Sequence, residues 1–85
     1  MTEETLEIII NLVKNEYIRA TQKFGIFHNA HEGYAVLLEE VDELWENVKL
    51  NQKITDRLKL IKEEAIQVAA MAIRIIIDNC NEEDF

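Results

Sequence analysis

Two short patterns place oxygen donors where a cation could be held. Glu39-Glu40-x-x-Glu43 is followed, after twenty residues, by Glu64-x-x-Gln67. On a helix, residues three apart are neighbours, with Cβ atoms about 5–6 Å apart. Glu40 and Glu43 therefore form one pair, and Glu64 and Gln67 another. Carboxylates brought together in a partly buried place repel and raise each other's pKa unless a cation lies between them. Oxygen-only donors suit a hard ion such as Mg²⁺, which usually keeps several waters. Zinc fits less well, because the single cysteine, Cys80, lies far along the chain and does not pair with His28 or His31. The stretch His31-Glu32-Gly33-Tyr34-Ala35 lacks the second histidine of a zinc protease helix. No glycine-rich phosphate loop is present, since Gly25 and Gly33 are the only glycines.

The elements that position these pairs read as three helices. In the first, about Thr2 to Lys23, Leu6, Ile9, Ile10, Val13, Tyr17 and Ala20 recur at helical spacing. Glu3, Glu4 and Glu7 near its start, with Arg19 and Lys23 near its end, suit the helix dipole. Gly25 is placed to stop it. The second helix, about Ala30 to Lys49, has Asn29 as a cap with Glu32 three residues on. Its apolar stripe runs Tyr34, Leu37, Leu38, Val41, Leu44, Trp45, Val48, and the plainest role for Tyr34 and Trp45 is core packing. The third, about Asp56 to Asn79, has Thr55 as its expected cap. Along it, Leu60, Glu64, Gln67, Met71, Arg74 and Asp78 fall on one arc. That arc is either a solvent stripe or a face whose first turns meet the acidic row of the second helix. A short link makes those two helices antiparallel neighbours, which brings the two pairs together. Residues 1–80 read as a single helical domain, and 81–85 as an acidic, frayed tail.

Taken in order, with "HEGYAVLLEEVDELWENVK" around the first pattern and "EEAIQVAAMAIRIIID" around the second, the motifs resemble EExxE followed by ExxD. That is the signature of the MazG-like all-α nucleoside triphosphate pyrophosphohydrolases. The resemblance covers about half the chain. It implies an all-α, three-helix protomer that assembles into an oligomeric helical bundle, a homodimer or homotetramer. It implies Mg²⁺- or Mn²⁺-dependent hydrolysis of a nucleoside triphosphate between the α and β phosphates, giving a monophosphate and pyrophosphate. Carried over by position, Glu40, Glu43 and Glu64 are metal ligands, and Gln67 stands where the signature has an aspartate. Glu39 binds a further ion or orients the attacking water. In this reading Lys53, Lys59 and Lys62, near the turn between the second and third helices, are candidates for the phosphates. His28, His31 and Trp45, with Phe24 or Phe27, are candidates for the base. An amide at position 67 supplies an oxygen but no charge, so the alternative is a non-catalytic bundle that binds a nucleotide or a protein.

Composition bounds the rest. The net charge of −8, from 17 acids and 9 bases, argues against a nucleic acid polymer and against an anionic membrane surface. No apolar run reaches the roughly 18–20 residues of a membrane span. An acidic N-terminus does not resemble a secretory leader. One cysteine permits no intrachain disulfide and points to a reducing, cytoplasmic compartment. A chain of 85 residues buries only about 60% of its unfolded surface, yet 48% of this one is hydrophobic, so a partner subunit is expected.

Overall fold

The computed structural model describes residues 2–80, and the tail at 81–85 lies outside them. Three helices follow in order: α1 (Glu3–Phe24), α2 (Ala30–Val48) and α3 (Arg57–Asn79), with no strand among the described residues. None of the helices is long and apolar enough to cross a membrane.

Local chemistry explains most of the boundaries. Thr2 caps α1, its hydroxyl accepting from the Thr5 N–H, and Glu3 and Glu4 occupy the first turn. Gly25 ends α1 at φ 76°, a left-handed value that favours glycine, and its N–H donates to the Thr21 carbonyl at 2.9 Å. Asn29 caps α2 by accepting from the Glu32 N–H at 2.9 Å. At the far end of α2 the Arg57 guanidinium donates to the Val48 carbonyl at 2.8 Å, satisfying an orphan acceptor. The expected Thr55 cap is not used. Two main-chain turns, Ile54 N–H to Asn51 O and Arg57 N–H to Ile54 O, carry the chain round, so Asp56 becomes the N-cap, without a side-chain bond.

α3 is the central element. α1 and α2 each pack on it, but their backbones make no close approach to each other. The predicted antiparallel pairing of α2 and α3 holds. Asn47, late in α2, donates to the Leu60 carbonyl early in α3, while the link before α2 bonds to the last turn of α3. Leu60, at the start of the arc of α3, is exposed, but beyond it the arc is not a solvent stripe: Met71 and Arg74 are buried, and Glu64, Gln67 and Asp78 are half-buried.

The core of the single protomer is small. Among the described residues, Ala20, Phe27, Ala70 and Met71 are the buried apolar ones, supported by Val13, Tyr17, Val36, Leu37 and Ile75. Of the α2 stripe, Leu37 and Leu44 reach half-burial, whereas Tyr34 and Trp45 remain 61% and 56% exposed, so they are not core residues of the protomer. The stripe is wider than the one neighbour α2 has.

Gly33 fixes how near α2 comes to α3. A Cβ there would lie 2.7 Å from Ile75 Cγ1 and 3.1 Å from the Phe27 ring. Gly33→Ala gains helix propensity of about 1 kcal/mol but overpacks this contact, a cost of about 1–3 kcal/mol. Urea denaturation is expected to show a net loss of stability. The double variant Gly33→Ala/Ile75→Ala, which removes the clashing methylene, should be less destabilised than the sum of its two singles.

Candidate metal centre

Glu40 and Glu43 stand one turn apart on the middle of α2, and Glu64 stands opposite, near the start of α3. One carboxylate oxygen from each lies within 4.8 Å of the other two. Glu40 and Glu64 are half-buried and Glu43 is exposed. The Oε2 atoms of Glu40 and Glu64 are buried and receive no hydrogen bond. Burial first, then contact with the Glu64 carboxyl and the charge of Glu43, push the Glu40 pKa up to about 7. Burial is also the leading reason the Glu64 pKa is raised, with the charge of Glu43 adding to it. A buried carboxylate oxygen without a partner is costly unless a proton or a cation meets it. Three hard oxygen donors with an exposed side fit Mg²⁺ or Mn²⁺.

Beside the cluster, between α1 and α2 and floored by α3, is a cavity of about 370 Å³. Glu39, Glu40 and Gln67 line its acid end, so Glu39 is exposed toward the cavity and Gln67 stands half-buried beside Glu40. Toward the α1–α2 link it is lined by Phe24, Phe27 and Arg74.

The other sequence candidates are dispersed. His28 sits at the rim, its Nδ1 2.9 Å from Oε2 of Glu32, which lines the cavity. His31 is exposed in the first turn of α2 and does not line it. Trp45 is five residues on from Glu40, about 140° round the helix. It lies outside the cavity, exposed, with Lys49 Nζ 5.7 Å from its ring centroid. Lys53 is exposed in the α2–α3 link and Lys59 in the first turn of α3. Lys62 lines a different groove, with Ile9, Val13 and Ile66 on the α1 side of α3.

The cations that do line the cavity are two arginines that stand outside both motifs, Arg19 and Arg74. Arg19 is held by Glu16 through two bonds, of 2.8 and 2.6 Å. Its position in the last turns of α1 explains itself by the helix dipole, which hid it. Arg74 is 2% exposed, and its one sequence signal is a charge inside the apolar run Ala72–Ile77.

Comparison of this chain with protein-family models, with curated proteins and with solved structures finds no match in any of the three.

In the cation-free protein, Glu40 holds its proton more tightly in the folded state than in the unfolded chain. The stability it contributes falls as pH rises from the ordinary glutamate value of 4.5 to about 7. Thermal melts in chelator should therefore lose stability across that window. Added Mg²⁺ or Mn²⁺ should stabilise more at pH 7.5 than at pH 5, because protons compete for the same oxygens. Glu40→Gln should flatten both effects.

Proposed function

We propose that this chain is a Mg²⁺- or Mn²⁺-dependent nucleoside triphosphate pyrophosphohydrolase of the MazG-like kind, cytoplasmic and working as a homodimer or homotetramer. The observation that carries the reading is the meeting of Glu40, Glu43 and Glu64 across α2 and α3, with two buried oxygens unpartnered. The spacing of EExxE and Glu64-x-x-Gln67, through its resemblance to that family, supplies the reaction.

In this reading Glu40, Glu43 and Glu64 hold the ion and Gln67 adds an amide oxygen. A divalent ion there supplies neutralisation of phosphate charge and a lowered pKa for water. Glu39, exposed toward the cavity beside Glu40, accepts a hydrogen bond from the attacking water and orients it toward the α phosphorus. Pyrophosphate is the leaving group. Arg19, with its guanidinium held flat against Glu16, is placed to bind a departing phosphate oxygen.

An oligomer accounts for the exposed apolar surface. Ile9, Ile10, Val13, Ile18, Ile73 and Ile77 line an apolar groove between α1 and α3. Leu38, Val41 and Trp45 are exposed on α2. With four buried apolar residues among those described, the protomer leaves much hydrocarbon in water for a domain of this size. Ile10→Asp is expected to lower the sedimenting mass, or to unfold the chain if the protomer depends on its neighbour.

A panel of canonical and deoxynucleoside triphosphates with Mg²⁺ or Mn²⁺ tests the reaction. Pyrophosphate release is expected from at least one, with Glu40→Gln and Glu43→Gln reducing it by a factor of 10² or more at unchanged helicity, the order expected for lost charge stabilisation. No release from any nucleotide by the folded, metal-supplied protein defeats the reading. The second reading, a bundle that binds a nucleotide or a protein without turnover, is favoured by the amide at Gln67. Gln67→Asp separates the two. A gain in metal affinity with the appearance of turnover marks a site disabled by the amide, and high turnover in the natural chain excludes the binding-only reading.

A further inference from the structure

We propose that the cavity between α1 and α2 is a nucleobase pocket that selects bases carrying an oxo group at their far edge, and that Arg74 makes the selection. This rests on the nucleotide reading above and adds the substrate class to it.

Arg74 is the unusual group. Its side chain is 2% exposed, it lines the cavity, and no carboxylate among the described residues lies within ion-pair distance. A guanidinium carries five N–H donors. One Nη2 donates to the Gly25 carbonyl at 2.8 Å, and Nη1 reaches only the Met71 sulfur, at 3.3 Å. Nε has no partner. One face of the guanidinium lies 4.0 Å from the Phe27 ring centroid. A buried cation with donors left over is costly unless an acceptor meets it. A thioether is a weak acceptor, so the group is satisfied only in part.

The placement gives the acceptor its identity. Gln67, Met71 and Arg74 follow one another along the floor of the cavity. Seven residues separate Gln67, at the acid end, from Arg74, about 10 Å at 1.5 Å per residue. That is the span of a nucleoside from its 5′ oxygen to the outer edge of its base. With the phosphates at Glu40 and Glu64, the sugar lies over Met71 and the far edge of the base meets Arg74. Uracil, thymine, guanine and hypoxanthine present an oxygen there, whereas cytosine and adenine present an amino group. An amino group sets donor against donor. Arginine pairs with the oxo edge of guanine in nucleic acid recognition for the same reason. The acids in the wall do not reverse this preference: Glu16 is taken by Arg19, Glu32 is exposed and bonded to His28, and Glu39 and Glu40 lie at the phosphate end.

The test uses pairs that differ only at that atom: UTP against CTP, and ITP against ATP. Wild-type kcat/KM is expected to favour the oxo member of each pair on the order of tenfold or more. Calorimetric binding of UMP against CMP, and IMP against AMP, with Mg²⁺ present is read alongside and should give the same order. Arg74→Met keeps the buried stem and should erase the preference. Phe24→Ala, at the exposed mouth, should weaken both members equally and keep the ratio. Oxo-selective binding without turnover overturns the enzyme reading and sustains this one. Equal or amino-preferring binding by the wild type, no binding of any monophosphate, or a folded Arg74→Met that keeps the ratio overturns it. The wild-type ratios decide the matter even if Arg74→Met does not fold.

Discussion

The close approach of α2 to α3 at Gly33 governs the geometry of everything around it. A missing side chain lets Ile75 and Phe27 come to within contact of the α2 backbone. Seven residues along, on the same side of α2, that spacing brings Glu40 against Glu64. It also seats Phe27 in the core, where its ring covers Arg74. A wider separation here would let water between the carboxylates, relax their mutual repulsion and lower the pKa that burial now holds up. The apolar packing and the acid cluster are thus two readings of one interhelical distance.

The acid cluster was legible in the chain because it rests on local periodicity. Glu40 and Glu43 share a face through i, i+3 spacing, and a short link forces α3 back alongside α2, so Glu64 had few places to go. The same logic set α1 and α2 to within a residue or so of their ends, through Thr2, Gly25 and Asn29. It failed where structure depends on contacts distant in sequence. Nothing in the spacing of residues foretold that Arg74 reaches Gly25, or that Asp78 and Asn79 grip Phe27, because those bonds span about fifty positions. Arg19 gives no signal of its own in the sequence, because the helix dipole is reason enough for a cation near the end of α1. Lys62 was grouped with its sequence neighbours although a helix turns about 100° per residue and carries it to the α1 side.

The exposed stripe on α2 shows a different limit. Pattern reading distinguishes apolar from polar faces but not how many neighbours a face will have. Tyr34, Leu37, Leu38, Val41, Leu44 and Trp45 look like one continuous surface in the sequence, and α3 covers only its edge. The protomer accordingly divides its hydrocarbon between a small interior and two outward faces, one on α2 and one between α1 and α3.

The last turn of α3 holds the link that starts α2. Asp78 accepts from the Phe27 N–H, Asn79 donates to the Phe27 carbonyl, and α1 and α2 have no direct backbone contact of their own. During synthesis, then, the first two helices emerge with nothing to fold against. Their isoleucines and leucines lack their main apolar partner, α3, until it has been made. Until α3 is made, α1 and α2 carry apolar faces open to aggregation.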